Sequence, residues 1–329
     1  MLNVAVIGVG HLGRHHARIY KSLPGVNLVG VVDINQSRGR PVAAEYQTNY
    51  YSDCQSLFSA NKINAVSIAT PTVSHYAVAK NFISRGIHTF IEKPITDNVS
   101  DAQKLVALAQ PKKIILQVGH IERFNPAFIA IQPYVKNPRF IECHRLAPFS
   151  FRSVDIDVVL DVMIHDLDII LSLVKSPLHK IEATGVNILT GKKDIASVRL
   201  LFKNGCVANV TASRVSDKSM RKLRIFSNDA YISVDYLAKT ALVYRKAAHL
   251  PPPQKLLTIF NRSKIKDLKK LMLEKFLQVK NLEIKPVDQL QKELESFVGC
   301  IRTYRKPVVS GADGLKAIQL ARQIINKIG

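Results

Sequence analysis

A largely apolar run, Leu2 to Ile7, broken only by Asn3, meets the glycine turn Gly8-Val9-Gly10-His11-Leu12-Gly13 without a spacer. Six apolar-rich positions with no polar alternation describe a strand buried on both faces, which is the environment of a parallel sheet covered by helices. The spacing G-x-G-x-x-G assigns each glycine a task. Gly8 permits a tight turn, Gly10 lets the backbone approach a diphosphate, and Gly13 lets the following helix pack close to the strand. A helix opening at His11 then offers free N–H groups and a partial positive charge to phosphate, with His11 and Leu12 beside it. An acidic residue, Asp33, closes the second apolar run and stands 20 residues after Gly13. That is the distance at which a carboxylate reaches the adenosine ribose of a dinucleotide. Asp33 accepts hydrogen bonds from both ribose hydroxyls of NAD and repels the 2′-phosphate of NADP, so NAD is the expected cofactor and NADP the lesser one. Arg38 and Arg40 are close enough to soften the repulsion.

Strand-like and helix-like segments continue to alternate. Residues 11–21, 73–84 and 101–109 carry helical spacing. Residues 26–32, 63–69, 87–91 and 114–118 read as buried strands. This alternation predicts βαβ units and a doubly wound α/β domain over residues 1–120. Pro71, in Ala69-Thr70-Pro71-Thr72, cannot extend a central strand. The chain therefore turns there, at the carboxyl edge where such sheets bind ligands, with His75 one turn further on. The next strand ends in Glu92-Lys93-Pro94, which puts a lysine over the same edge. Later, Asp161 and His165 stand four apart in an apolar helical stretch, 161–168, and so share a face.

The Gly8/Gly10/Gly13 turn, Ala69–Thr72, Glu92-Lys93-Pro94 and the Asp161…His165 pair together resemble the glucose–fructose oxidoreductase, inositol dehydrogenase and rhizopine-catabolism (Gfo/Idh/MocA) family. The resemblance covers nearly the whole chain. It implies a Rossmann domain followed by an α/β domain with a large, mostly antiparallel sheet, and a NAD(P)-dependent dehydrogenase acting on CH–OH groups. It assigns catalysis to Lys93, Asp161 and His165. It places Gly8, Gly10, His11, Leu12, Gly13, Asp33, Ala69, Thr70, Pro71, His75, Glu92 and Lys93 at the cofactor. Substrate contacts fall to Lys93, Arg123, Asn125, Arg152, Asp161 and His165. Gly119-His120-Ile121-Glu122-Arg123-Phe124-Asn125-Pro126 and the run 160–166 are similar to the UDP-N-acetylglucosamine 3-dehydrogenases of that family. Those enzymes make a 3-keto sugar that supplies the diamino sugars of lipid A.

The chemistry needs such residues. Oxidising a secondary alcohol takes a proton from oxygen and a hydride from carbon. His165 has an ordinary pKa of about 6.5 and suits the role of base. Lys93 is the other candidate, or it stabilises the developing alkoxide. Asp161 orients the imidazole or binds a neighbouring hydroxyl. The plainer readings are a loop lysine before a proline, a surface histidine, and Arg123 and Asn125 as caps of a helix starting near Pro126. His15 and His16 read as packing or surface residues. No metal site is expected, since adjacent helical positions such as His165 and Asp166 point apart.

Composition narrows the rest. Among 329 residues, 47 Lys and Arg face 25 Asp and Glu, a formal charge of +22. Such an excess suits an anionic substrate such as a nucleotide sugar, an anionic membrane surface, or simple solubility. A dinucleotide-binding regulator or nucleic-acid module also fits the charge, but it needs no Glu92-Lys93-Pro94 or Asp161…His165, so no nucleic acid is expected. An inositol or other polyol is the alternative substrate. Cys54, Cys143, Cys206 and Cys300 form no CxxC pair, and the N-terminus reads as a buried strand rather than a signal peptide, so a reducing, cytoplasmic setting is expected.

Residues 121–329 are expected to form the substrate-binding and oligomerisation domain of a homodimer or homotetramer. Asn204-Gly205 marks a hairpin between strands 196–202 and 206–212. Segments 224–226 and 231–234 flank another turn. A basic helical segment near 251–281 follows Pro251-Pro252-Pro253. Its amphipathic core, 264–280, spaces Ile265, Leu268, Met272, Phe276 and Val279 helically. It reads as a domain-packing helix, or as a peripheral contact with an anionic membrane. Helices over 287–303 and 315–327 close the chain.

Overall fold

The computed structural model describes residues 1–60, 62–150, 155–247, 254 and 277–329. They divide into two compact units. The first holds Met1–Phe124 and Val287–Asn326, and the second holds Asn125–Pro286 and Lys327–Gly329. The residues after 286 were expected in the second domain. Instead, Val287–Asn326 belongs with the first unit.

The first unit is a six-stranded parallel sheet: β1 (Leu2–Ile7), β2 (Val26–Val32), β3 (Tyr50–Tyr51), β4 (Ala65–Ile68), β5 (His88–Glu92) and β6 (Leu116–Gly119). Its spatial order is β3-β2-β1-β4-β5-β6, the doubly wound arrangement that reverses direction between β1 and β4. Val4, Ala5 and Val6 are fully buried, as a run without alternation requires. The helices are α1 (His11–Ser22), α2 (Gln36–Glu45), α3 (Cys54–Ala60), α4 (Thr72–Ser84) and α5 (Val99–Ala109). The side chain of Asn35 caps α2 at Ser37 N–H, and that of Asn98 caps α5 at Asp101 N–H.

Two later helices, α8 (Gln289–Thr303) and α9 (Gly311–Ile328), follow the second unit in sequence. On α8, Leu294, Phe297, Val298 and Ile301 recur at helical spacing and pack into one core with Val4, Val6 and Phe90. The Phe90 and Phe297 rings meet edge-on at 5.8 Å. Sequence periodicity identifies the helix but not its destination, because an apolar stripe does not say which sheet it covers.

The second unit opens with α6 (Pro126–Ile131) and is built on an eight-stranded sheet: β7 (Phe140–Leu146), β8 (Leu178–Val186), β9 (Ile195–Phe202), β10 (Val207–Ser213), β11 (Met220–Phe226), β12 (Ala230–Asp235), β13 (Thr240–Lys246) and β14 (Leu277–Leu282). All pairings are antiparallel except β7 with β10. The Asn204-Gly205 hairpin forms as expected, with Gly205 at φ +80° and Phe202 N–H donating to Cys206 C=O at 2.9 Å. A π-helical turn, Val159–Met163, runs into α7 (Ile164–Leu173).

One expectation needs correction. Residues 277–280 were assigned to a basic helix, but they lie in β14, with Lys280 opposite Val243 of β13. Leu277 and Val279 fit strand alternation as well as helical spacing, and the partner strand decides between them. Residues 251–253 and 255–276 of that segment lie outside the described residues.

Candidate functional site

The glycine turn in the first unit behaves as its spacing demands. Gly8 sits at φ +81°, where side chains are strained, and a Cβ there would meet Thr70 and the Ala69 carbonyl at 2.8–2.9 Å. A Cβ on Gly13 would run into the Gly8 carbonyl, so only glycine lets α1 approach β1. Gly10 differs. It is the N-cap of α1, and a Cβ there would meet nothing within 4 Å. The protein's own packing therefore does not require glycine at 10. The open space lies over the N-terminus of α1, where a diphosphate needs it, so these residues fit a dinucleotide.

Asp33 is 4% exposed at the end of β2. Its Oδ2 accepts Val9 N–H at 2.9 Å and Arg38 Nε at 2.9 Å. Its Oδ1 accepts Asn35 N–H at 2.8 Å and Arg38 Nη2 at 3.0 Å. Burial alone would push this carboxyl up, but the Arg38 guanidinium and the Asn35 and Val9 amides outweigh it and hold it below its ordinary range. A cavity of about 440 Å³ next to it is lined by Gly8, Asp33, Ile34, Arg38, Thr70 and Pro71, among others. Its size suits an adenosine, and it gathers four of the expected cofactor residues.

Other expected residues take different places. His75 is 1% exposed. Its Nδ1 lies 2.9 Å from Pro94 C=O and its Nε2 2.9 Å from Thr70 C=O. The ring thus joins the loop after β4 to the loop after β5. Burial depresses its pKa, and the two carbonyls partly offset that effect. Glu92 is likewise turned inward at 8% exposure, with Oε1 at 3.0 Å from His16 Nε2. The other nitrogen of His16 meets Ser67 Oγ at 2.6 Å. His16 is fully buried and was missed as a residue that supports the site. The signal was present in sequence, because Gly13, His16, Ala17 and Tyr20 repeat at the spacing of a buried helix face. Lys93, half-buried, follows Glu92 at the end of β5. His11 and Leu12 are exposed on the first turn of α1, and the His11 and His15 rings meet edge-on at 5.3 Å.

In the second unit, Asp161 lies in the π-helical turn and His165 in the first turn of α7, both half-buried. The stretch expected as one regular helix is thus widened at Asp161, a distortion frequent at functional sites. Asp166, beside His165, is fixed by Arg145 of β7 through two bonds of 2.9 Å. Asn125 caps α6, its Oδ1 accepting Ala127 N–H at 3.0 Å, which is the plainer of its two expected roles. Arg123 closes a short 3₁₀ turn, Ile121–Phe124, in the first unit. Arg152 lies outside the described residues.

Comparison with known proteins decides the family. Residues 2–120 match the model described as "Oxidoreductase family, NAD-binding Rossmann fold", and residues 149–233 match the Gfo/Idh/MocA C-terminal domain. The chain belongs to the Gfo/Idh/MocA oxidoreductase family. It is 37% identical over 324 residues to the UDP-N-acetylglucosamine 3-dehydrogenase of Acidithiobacillus ferrooxidans, covering 98% of this chain and 96% of that one. A solved structure of that enzyme superposes with a TM-score of 0.87 at 35% identity, over 99% of this chain and 97% of the other. A myo-inositol 2-dehydrogenase of Thermotoga maritima is 23% identical over 97% of this chain and 94% of its own. As a Gfo/Idh/MocA oxidoreductase the chain is a NAD-dependent dehydrogenase, and its glycine turn and Asp33 lie within the matched NAD-binding Rossmann fold. Among the described residues no helix is long and apolar enough to cross a membrane.

Proposed function

We propose that this oxidoreductase oxidises the C3 hydroxyl of UDP-N-acetylglucosamine to the 3-keto sugar. What supports the reading is its 37% identity over 98% of the chain to an enzyme named for that reaction. The strongly basic composition suits an anionic UDP diphosphate.

NAD, when bound, supplies the acceptor for the hydride that leaves C3. The chain handles the other half of the reaction. Either Lys93 or His165 takes the hydroxyl proton, and Asp161 orients the imidazole or holds a neighbouring hydroxyl. Gly8, Gly10, Gly13 and Asp33 hold the cofactor through its diphosphate and adenosine ribose. His75 and Glu92 serve by fixing the loops after β4 and β5, which carry Thr70, Pro71 and Lys93. Arg123 and Arg152 bind substrate phosphate or sugar. The product would feed diamino sugars of lipid A. The setting is cytoplasmic, and the enzyme is a homodimer or homotetramer with peripheral contact to anionic membrane.

The test is NADH formation on mixing the enzyme with NAD and a panel of substrates. Absorbance should grow with UDP-N-acetylglucosamine and not with myo-inositol or free N-acetylglucosamine. Turnover of inositol with no response to the UDP-sugar would move the enzyme to the polyol dehydrogenases, which a 23% identical relative also represents.

A further inference from the structure

The side chains of Ser67, His16 and Glu92 form a buried line across β4, α1 and β5. Ser67 Oγ stands 2.6 Å from His16 Nδ1, and His16 Nε2 stands 3.0 Å from Glu92 Oε1. Serine, histidine and acid in that order make an activated nucleophile when the serine is open to substrate. Here the line runs the other way. Ser67 is wholly enclosed, whereas Glu92 ends the strand that leads directly into Lys93. The hydroxyl is the anchor, and the carboxylate is what it holds.

A carboxylate has lone pairs and no proton to offer, so the His16 nitrogen that faces it carries a hydrogen. Ser67 fixes the opposite nitrogen, and the Phe90 ring meets the imidazole edge-on at 5.4 Å. Glu92 is held as closely. Its Oε2 accepts Lys93 N–H at 3.3 Å, and a Cβ on Gly119 of β6 would come within 2.9 Å of that same oxygen. Tyr20 of α1 and His75 of α4 also feel the Glu92 charge. Tyr20 is fully buried, and the His75 nitrogens face the Thr70 and Pro94 carbonyls. A carboxylate this deep needs a hydrogen-bearing partner, and His16 is placed to be it.

We propose that His16 is a positioning residue for Lys93: it fixes the Glu92 carboxylate through Nε2, and Glu92 fixes the backbone from which the lysine reaches the substrate. The inference rests on the reading of Lys93 as part of the chemistry and adds the residue that aims it. His16 lies three positions beyond Gly13, on the helix whose N-terminus is open to the cofactor diphosphate. One helix thus serves both the cofactor and the lysine.

Four variants of the full-length protein test it. His16→Phe keeps an aromatic ring and removes the donor, and His16→Gln returns an N–H near the position of Nε2. Glu92→Gln probes the far end of the line, and Lys93→Ala is the control. Hydrogen exchange read by mass spectrometry needs no substrate. In His16→Phe the segment 92–95 should exchange at least about threefold faster, with β1 at the wild-type rate, and His16→Gln should recover part of the protection. Turnover is read with the sugar, UDP-sugar or polyol that the wild type oxidises. His16→Phe and Glu92→Gln should each lose about 10–100-fold, the effect of a reacting group displaced by up to about 1 Å. The loss should fall in kcat rather than in KM, and both variants should still bind NADH. The double variant should lose no more than the worse single one, because the two residues act as a unit. Wild-type exchange of segment 92–95 in His16→Phe, or losses that multiply in the double variant, overturns the proposal. So does a fall in melting temperature with kcat unchanged, which would make His16 a packing residue alone. If Lys93→Ala is inactive while His16→Phe is unimpaired, Lys93 stands and the role of His16 falls. If Lys93→Ala turns over at the wild-type rate, the reading of Lys93 fails and the proposal with it.

Discussion

Arg145 and Asp166 face each other through two parallel hydrogen bonds of 2.9 Å, with only 7% and 4% of their side chains exposed. The pair ties β7 to α7 one residue beyond His165. Removing one partner of a buried ion pair leaves the other charge without compensation, at a cost of about 3–5 kcal/mol. Arg145→Met should therefore lower unfolding stability by about that amount in urea titrations, and Arg145→Lys should restore only part of it. A loss below about 1 kcal/mol would mean that Asp166 finds another cation.

Lys93→Ala and His165→Ala should each reduce kcat by roughly 10²–10⁴-fold, the value of a positioned acid–base group. Both variants should still bind NADH, because neither substitution touches the glycine turn or Asp33. Wild-type turnover in both variants would remove these residues from the chemistry.

Asp194 is fully buried. Its Oδ2 accepts the amides of Ile188, Leu189 and Thr190 at 2.7–2.9 Å. Its Oδ1 accepts the Thr190 hydroxyl at 2.7 Å and Arg214 Nε at 2.9 Å. Burial opposes the charge, but these donors together hold the carboxyl far below the carboxylate range. Its contribution is thus fully present above the unfolded pKa of about 3.9 and is lost as pH falls from there toward the folded value. Asp194→Asn should destabilise the protein by about 3–5 kcal/mol at neutral pH, because it removes the buried carboxylate charge that faces Arg214. The gap between wild type and variant should stay constant above about pH 5 and narrow below about pH 4. Denaturant titrations at several pH values would show it, and a gap that widens with acid would contradict the assignment.

Cys54 is half-buried, whereas the other three cysteines are buried. Burial, helped by the Asp53 carboxylate, pushes its thiol up to about 11. At neutral pH it should carry roughly a hundredfold less thiolate than an ordinary cysteine and alkylate correspondingly slowly. It also lines the cavity beside Asp33. Saturating NAD should slow its reaction with iodoacetamide further, as read by mass spectrometry. Equal rates with and without NAD would place the adenosine elsewhere.

The first sheet was legible in sequence because its strands are short apolar runs closed by glycine, proline or acid, and each such signal acts within a few residues. The glycine turn and Asp33 belong to this class. The long-range parts were not legible. Arg38 reads as a nearby cation, but its two-bond hold on Asp33 depends on the bend between β2 and α2. His75 and Glu92 read as cofactor contacts because they flank the ligand edge, while tertiary packing turns both inward. Leu277–Leu282 obeys both a helical and a strand period, and only pairing with β13 breaks the tie.

The return of Val287–Asn326 to the first unit bears on how the chain is born. Residues 1–124 leave the ribosome as an apparent domain, yet one wall of their core, Leu294, Phe297 and Ile301, is still about 170 codons away. The N-terminal unit is therefore expected to complete its core last, against the usual order. Residues 125–286 emerge in full before α8 can cover Val4 and Phe90, so the dinucleotide fold closes only when the last helices arrive.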